Sequence, residues 1–237
     1  MTGGGGTYSP ATPPATPPSP GGRGDGRPLD IGDARLFSPS FERNHQPIAA
    51  ALPALFGDRR GTVLEIGSGS GQHGPRFAAV LPGLTWLPSD PFPDHRDSIA
   101  GWGAEAGLPN LAAPLSLDAM DPAWPDLPAL STHAPFAGLY AMNVLHITPW
   151  ALSERLIAGA GRLLAPGGLM VFYGPYAEGG RHTGEGNARF DAVLRAENPD
   201  WGIRDLDMVA ALAATAGFGA PAVTRLPANN LLVAFER

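Results

Sequence analysis

A glycine-rich turn after a short apolar run is the stretch of this sequence most able to do chemistry. Thr62–Ile66 has the character of a buried strand, and from Gly67 to Gly71 every second residue is glycine. Glycine is needed in such a turn because a Cβ would block either a positive φ or the approach of a ligand to bare backbone amides. The pattern predicts a ligand-binding loop between a strand and a helix.

The loop fits two ligand-binding patterns that overlap. Residues 69–74 satisfy G-x-G-x-x-G, the dinucleotide pattern, and Asp90 lies 21 residues beyond Gly69, where such folds place a ribose-binding acid. That match by itself is weak. A second frame, Glu65-x-Gly67-x-Gly69-x-Gly71, includes an acid inside the strand and is more specific.

The second frame resembles motif I of class I S-adenosylmethionine-dependent methyltransferases. The resemblance implies that Glu65 anchors the loop by accepting hydrogen bonds from the backbone or from the cofactor amine. Asp90 would hold the ribose hydroxyls, Asp118 would accept from the adenine amino group, and Asn143 would lie beside the methionine end. The residues assigned in this way to S-adenosylmethionine are Glu65, Gly67, Ser68, Gly69, Gly71, Asp90, Asp118 and Asn143.

Six segments in a fixed order add a narrower resemblance. They are E-R-N-x-x-P-I at 42–48, L-E-I-G-S-G-x-G-Q-H at 64–73, W-x-P-S-D at 86–90, N-x-L-H-I-x-P-W at 143–150, Y-G-P-Y at 173–176 and D-W-G-I-R-D at 200–205. Together they resemble the uncharacterised methyltransferase-like family called domain of unknown function 938, over residues 36–237. This resemblance sharpens the expected fold and cofactor and leaves the reaction open.

Two side chains near the ends of predicted strands are candidates for work on a methyl acceptor. Methyl transfer is an in-line displacement, which depends mainly on positioning and needs a base only if the nucleophile starts protonated. His146 and Tyr173 should face the crevice at the carboxyl ends of the strands. Capping of the next helix is an equal alternative for His146, and strand packing for Tyr173. Glu185 and Asn187 are weaker candidates for covering the acceptor, since a solvated loop charge is the favoured interpretation of Glu185.

Apolar runs separated by turn signals predict the elements that position these groups. Predicted strands span residues 62–66, 84–87, 115–118, 136–141 with continuation to 146, 169–173, 222–226 and 231–236. Predicted helices span about 41–56, 72–80, 94–106, 150–164, 188–196 and 205–216, with a polar loop at 174–187. The alternation predicts an α/β, Rossmann-like class I methyltransferase fold: a mostly parallel seven-stranded sheet with an antiparallel edge strand and helices on both faces.

The N-terminal residues have a different composition from the remainder of the chain. Glycine, proline, threonine and serine dominate up to Pro28, with almost nothing to bury. Such a composition favours extended, unpacked chain. We therefore expect a disordered tail over residues 1–30 and a single S-adenosylmethionine-binding domain over residues 31–237.

Composition and charge bound the remaining possibilities. The sequence has no cysteine, its 16 basic residues are all arginine, and the net charge is −6, which argues against nucleic acid as a partner. No apolar stretch reaches membrane-spanning length, so a cytoplasmic protein acting on a small molecule is expected. Asp90, Asp94, His95 and Asp97 lie close together, but a metal site there is disfavoured because Asp90 is committed to the ribose. The oligomeric state is open.

Three alternatives to a small-molecule methyltransferase are retained. A protein or peptide methyltransferase would use the same donor site with a different acceptor. A fold that binds the cofactor without catalysis would serve as an interaction module. A nicotinamide oxidoreductase would use the first glycine frame, and the later motifs disfavour it.

Overall fold

A computed structural model describes residues 34–237, so the predicted tail lies outside the described residues. The strands are β1 (Gly61–Ile66), β2 (Leu84–Ser89), β3 (Phe136–Met142), β4 (Leu169–Glu178), β5 (Arg181–His182), β6 (Arg204–Asp205), β7 (Ala222–Leu226) and β8 (Asn230–Glu236). The helices are α1 (Phe41–Phe56), α2 (His73–Val80), α3 (Pro93–Ala106), α4 (Pro128–Ser131), α5 (Trp150–Leu163), α6 (Glu185–Glu197) and α7 (Leu206–Thr215). Short 3-10 turns occur at Trp124–Asp126 and Pro227–Asn229.

The strands of the described residues join in one mixed sheet, which confirms the predicted fold class. The order is β2-β1-β3-β4-β8-β7, with the two-residue strands β5 and β6 attached to β4. Strands β2, β1, β3 and β4 are parallel neighbours, whereas β8 runs antiparallel to both β4 and β7. The strand order reverses between β1 and β3, and the crevice outside the carboxyl ends of the strands at that point is where such sheets bind ligands.

The helices cover both faces of the sheet and bury two apolar clusters. On one face, α1 contributes Ile48, Leu52 and Phe56, all fully buried against β1, β3 and α2. The spacing of four residues places these side chains on one stripe of the helix. On the other face, α5 buries Leu156 and Ile157 against the sheet and α7. Each such side chain contributes about 1.5–3 kcal/mol by leaving water.

The predicted strand at residues 115–118 does not form, and the prediction was wrong there. The segment meets β2 through isolated bridges, at Trp86 with Leu111 and at Ser89 with Leu115. Proline interrupts the ladder on both sides, because Pro88 of β2 and Pro114 have no backbone N–H to donate. The segment still runs parallel to β2, beside its carboxyl end.

The region after the predicted strand 169–173 is more regular than expected. Strand β4 continues to Glu178, because residues beyond Tyr173 pair with β8 and then with β6. The expected polar loop at 174–187 is the end of β4, a hairpin with β5 and the first turn of α6. The predicted continuation of β3 to residue 146 is also wrong, since Asn143 takes a left-handed φ of 60° and ends the strand. Among the described residues, no helix combines the length and apolar character that a bilayer crossing needs.

Candidate functional site

The glycine turn lies between β1 and α2, at the point where the strand order reverses. Gly67, Gly69 and Gly71 have φ values of 68°, 57° and 82°, which side chains with a Cβ rarely adopt. A Cβ on Gly71 would lie 2.6 Å from the Cα atom of Ile99, so α3 packs directly on the loop. By contrast, no described atom outside the chain neighbours lies within 4 Å of a Cβ position on Gly69. The middle of the loop is therefore open to a ligand.

Glu65 anchors the loop from inside the protein. Its side chain is buried, and its Oε2 atom accepts hydrogen bonds from Ser68 Oγ and Trp86 Nε1, each at 2.9 Å. Burial raises the pKa of Glu65 to about 7, although the hydrogen bonds from Trp86 and Ser68 oppose the rise. The nearby Asp90 carboxylate adds to it. The role of Ser68 in the structure is to tie the turn to this acid.

Asp90 holds the same loop from the neighbouring strand. The residue is 2% exposed, and its Oδ2 atom accepts from the backbone N–H of Gly69 at 2.9 Å. Its Oδ1 atom accepts from the backbone N–H of Phe92 and pairs with His95 Nδ1, both at 3.0 Å. The hydrogen bond to Asp90 raises the pKa of His95, against the effect of burial. The bond from Gly69 to this acid was not part of the sequence-based prediction.

Asp118 and Asn143 occupy the same edge of the sheet in different surroundings. Asp118 is exposed and accepts from the backbone N–H of Met120 at 2.8 Å, in the segment that turns along the end of β2. Asn143 is partly buried at the end of β3, where its N–H donates to the carbonyl of Tyr173 at 2.8 Å. Its left-handed backbone is a small conformational strain, of the kind that accumulates at binding sites.

His146 lies against the middle of β4 in a deeply buried position. A Cβ on Gly174 would lie 3.2 Å from His146 Cε1, 3.4 Å from His146 Nδ1 and 3.3 Å from Asn143 Oδ1. Glycine at position 174 thus lets the imidazole and the amide approach the same point of β4. Burial lowers the pKa of His146 to about 3, and Arg204 contributes to the fall while Asp191 opposes it. The N-cap residue of α5 is Pro149, which makes no side-chain cap bond.

Tyr173 is buried on the face of the sheet that α1 covers. It is 3% exposed and belongs to the apolar cluster on the α1 face, as the packing interpretation expected. Burial raises the pKa of its phenol to about 12, while the side chains of Asn230 and Arg43 oppose the rise. The structure thus brings Tyr173 together with α1 and β8, a contact that the sequence pattern did not predict.

A cluster around α6, which the sequence analysis missed, supports the segment that carries His146. Asp191 accepts from Arg195 Nε at 2.8 Å and from the backbone N–H of Ile203 at 2.6 Å. Although burial acts to raise the pKa of Asp191, these hydrogen bonds lower it overall. Arg204 donates to the carbonyls of Leu145 and Thr148, at 2.9 and 2.6 Å, and so clamps both ends of the turn around His146. The sequence signal that could have indicated this cluster is the segment D-W-G-I-R-D at 200–205.

The two weaker candidates near α6 have separate environments. Asn187 is buried and donates to Thr183 Oγ1 at 3.0 Å and to the carbonyl of Asn229 at 3.2 Å. Glu185 is exposed and pairs with Arg189 at 3.4 Å, as a solvated helix charge does. Among residues 34–237, no group of three or more histidine or acidic side chains is arranged to hold a metal ion.

Comparison with known proteins assigns the chain to a family. A sequence model described as a protein of unknown function, DUF938, matches residues 35–237. The chain belongs to this family. The match covers all of the described residues except Ala34, so the fold and the site above are those of a DUF938 protein.

Solved structures similar to this DUF938 protein are methyltransferases. The S-adenosylmethionine-dependent methyltransferase SibL has 21% identity and a TM-score of 0.67, over 83% of this chain and 55% of that one. An O-methyltransferase family protein from Burkholderia thailandensis has 18% identity and a TM-score of 0.68, over 84% and 57%. Human N-acetylserotonin methyltransferase in complex with SAM has 14% identity and a TM-score of 0.66, over 83% and 52%. The DUF938 chain therefore spans little more than half the length of these structures, and the likeness shows a shared fold.

The residues predicted to bind a cofactor come from distant parts of the sequence and meet at one edge of the DUF938 sheet. The glycine turn follows β1, Asp90 follows β2, Asp118 lies on the segment beside β2, and Asn143 follows β3. His146 follows the end of β3, and Tyr173 lies in the middle of β4, where its carbonyl accepts from the N–H of Asn143. The predicted contacts with a cofactor stay predictions.

Proposed function

We propose that this DUF938 protein is an S-adenosylmethionine-dependent methyltransferase that acts on a small molecule by in-line methyl transfer. The observation that carries the proposal is the glycine turn at the reversal of the strand order, open above Gly69 and bonded through the Gly69 N–H to Asp90. An open backbone beside an acid suits a ligand that carries both an amino-acid part and a ribose. The fold shared with methyltransferases supports the same assignment.

The residues at this edge fit the chemistry of S-adenosylmethionine. The cofactor supplies an activated methyl group on a sulfonium, and the protein has to hold it. Gly67, Gly69 and Gly71 would let its methionine and ribose parts lie against the backbone, with Asn143 near the methionine end. Asp90 would take the ribose hydroxyls. Because its carboxylate is 2% exposed and already bonded to Gly69 and Phe92, that contact would need a local rearrangement around the carboxylate.

Two neutral hydrogen-bonding groups, His146 and Tyr173, are buried beneath the neighbouring part of this edge. The depressed pKa of His146 keeps its imidazole neutral, and the raised pKa of Tyr173 keeps its phenol protonated, both because of burial. Neither group carries charge near neutral pH, so we assign them the orientation of an uncharged acceptor group. Positioning of this kind supplies up to about 7–11 kcal/mol of the rate enhancement in reactions that join two bound partners.

A small-molecule acceptor is favoured over a macromolecule. The chain has a net charge of −6, which disfavours binding to a phosphate backbone. The similar structures include a methyltransferase named for N-acetylserotonin and an O-methyltransferase family 2 protein in complex with apigenin. A peptide acceptor is the second candidate, and the same donor site would serve it.

Calorimetric titration of the purified full chain tests the proposal. S-adenosylmethionine and S-adenosylhomocysteine should both bind, whereas NAD should not. Absence of heat with both sulfur ligands would overturn the proposal, and binding of NAD alone would favour the oxidoreductase.

A second measurement separates an enzyme from an inactive binding module. The protein is incubated with methyl-labelled S-adenosylmethionine and fractionated extracts of small molecules or of peptides. Transfer of label to a small-molecule fraction is expected. Label in the peptide fraction would move the assignment to a peptide methyltransferase, and binding without transfer to any fraction would favour the inactive module.

A further inference from the structure

A short segment before α1 connects the surface of α3 to the glycine turn. We call residues 34–40 the N-terminal strap. The backbone N–H of Leu36 donates to Ser98 Oγ at 2.7 Å, and Trp102 Nε1 donates to the carbonyl of Leu36 at 3.0 Å. The Arg35 guanidinium lies 4.7 Å from the centroid of the Trp102 ring and forms an ion pair with Glu105. The strap is thus attached to α3 along its first half.

The second half of the strap is attached to the residue that starts the helix after the glycine turn. The backbone N–H of Ser38 donates to Gln72 Oε1 at 2.5 Å. The same Oε1 atom accepts from Ser70 Oγ at 3.3 Å. Gln72 is 5% exposed, so its amide oxygen bridges the strap and the turn in a position shielded from water.

Ser98 forms a second bridge between the strap and the turn, through the backbone of Ser70. Its hydroxyl donates to the carbonyl of Ser70 at 2.7 Å and accepts from Leu36, and the residue is fully buried. A serine hydroxyl has one proton to donate, so the bond to the turn and the bond to the strap orient each other. The side chains of Gln72 and Ser98 thus both connect the strap to Ser70. Gln72 bonds to the Ser70 hydroxyl, and Ser98 bonds to the Ser70 carbonyl.

Ser70 lies between Gly69 and Gly71, two of the three glycines at positive φ in the turn. A loop of this kind loses much conformational entropy when it is ordered, and a ligand that needs the ordered form binds more weakly if the ordering occurs on binding. External bonds to Ser70 that exist before binding reduce that loss. The strap should therefore increase the affinity of the turn for a ligand, although the strap itself is not part of the turn.

We propose that Ser98 and Gln72 are positioning residues through which the N-terminal strap sets the affinity of the glycine turn for its cofactor. This inference rests on the proposed function. Thermodynamic linkage makes the coupling reciprocal, so a ligand that orders the turn also protects the strap.

The first test compares ligand affinities of variants in the full chain. Ser98→Ala removes one buried bridge, and we expect the dissociation constant for S-adenosylhomocysteine to rise about tenfold. Gln72→Leu removes the other bridge and should act in the same direction. Gln72→Glu keeps the accepting oxygen at the same place and should restore most of the affinity.

Ser153→Ala is the matched control for Ser98→Ala. Ser153 is also fully buried, but its hydroxyl has no hydrogen-bond partner among the described residues and lies on α5, on the opposite face of the sheet. The control should bind S-adenosylhomocysteine as the wild type does. If wild type binds and both Ser98→Ala and Gln72→Leu bind equally well, the inference is overturned while the proposed function stands.

The second test is hydrogen exchange at single amides, which a merely structural role of Ser98 would not change. In the wild type, S-adenosylhomocysteine should slow exchange at the amides of Leu36 and Ser38. In Ser98→Ala, the slowing at Ser38, whose amide donates to Gln72 and not to Ser98, should be reduced under conditions in which this variant and Ser153→Ala are both folded. Ligand protection of Ser38 that is as large in Ser98→Ala as in the wild type would overturn the coupling. If the wild type binds neither sulfur ligand, the proposed function fails and the cofactor part of this inference fails with it.

Discussion

The two halves of the carboxyl edge of the sheet are organised in different ways. In the half at β1 and β2, two buried acids bond to a single turn: Glu65 through Ser68, and Asp90 through the N–H of Gly69. In the half at β3 and β4, His146 and Tyr173 are surrounded by groups from α1, α6 and β8 and from the segment before α7. The half at β1 and β2 is preorganised by hydrogen bonds between its two acids and the glycine turn. The second half depends on elements that come together from four distant parts of the chain.

The two halves of the edge also differ in the polar groups that they bury. Asp90 is buried, and both of its carboxylate oxygens accept hydrogen bonds from backbone N–H groups. His146 has the opposite arrangement, because burial and Arg204 favour its neutral form. The half at β1 and β2 therefore suits recognition of polar groups such as a ribose. The half at β3 and β4 suits an uncharged group.

Replacement of Asp90 should have the largest effect on stability. Asp90→Ala leaves the N–H groups of Gly69 and Phe92 without their acceptor, and we expect the free energy of unfolding to fall by about 2–4 kcal/mol. Binding of S-adenosylhomocysteine should weaken by a further 1–3 kcal/mol or so. Denaturant unfolding and calorimetry measure the two effects.

Asp118→Ala, at an exposed acid, is the control and should change stability by less than about 0.5 kcal/mol. If the free energy of unfolding falls equally in Asp90→Ala and Asp118→Ala, the buried acid does not contribute more to stability than the exposed one.

Glu65→Gln tests the buried acid of the same half through pH. Because the folded pKa of about 7 lies above the ordinary value of 4.5, the folded protein holds this proton more tightly than the unfolded chain. The wild type should therefore lose stability as pH rises from about 4.5 to 7. Glu65→Gln keeps an oxygen that accepts from Ser68 and Trp86, and it should gain up to about 3 kcal/mol relative to wild type at pH above 7. The measurement is the free energy of unfolding of both proteins as a function of pH. If the two curves run parallel, the pKa of Glu65 is not raised in the folded protein.

His146→Asn tests the other half, and the sign is opposite. The folded pKa of about 3 lies below the ordinary 6.5, so the unfolded chain takes up a proton first as pH falls. The wild type should lose about 2 kcal/mol through this residue between pH 6.5 and pH 5. The difference between wild type and His146→Asn, measured by denaturant unfolding at several pH values, should shrink over that window. A difference that stays constant would show that His146 does not titrate as a buried imidazole.

Asn143→Gly should have the smallest effect on stability and a contrasting effect on binding. Glycine relieves the left-handed backbone of Asn143, so stability should rise by up to about 1 kcal/mol. Loss of the amide should weaken S-adenosylhomocysteine binding. Asn229→Gly is the matched control, because Asn229 has a φ of 57° on the turn before β8. It should gain similar stability and keep the wild-type affinity. Weaker binding in both variants would mean that Asn143 has no separate role.

Much of the half at β1 and β2 could be predicted from sequence because its determinants are close together in the chain. The strand Thr62–Ile66, the alternating glycines and the acid after β2 each have a local physical reason. The prediction failed where proline acts on pairing between segments, at residues 115–118, and where pairing with β8 extends β4 beyond Tyr173. Neither effect is visible in the pattern of one segment alone.

The sequence by itself determined the α/β class, the position of the ligand-binding turn and the family to which the chain belongs. These depend on hydrophobic period, glycine spacing and the order of short motifs, which are properties of local chain. Only the tertiary structure decided that Asp90 bonds to Gly69, that Arg204 clamps the turn around His146, and that Ser98 connects Leu36 to Ser70. Those contacts join residues 21 to 62 positions apart, and burial sets their strength. Burial arises from the packing of all the elements together, so no single segment of the sequence carries it.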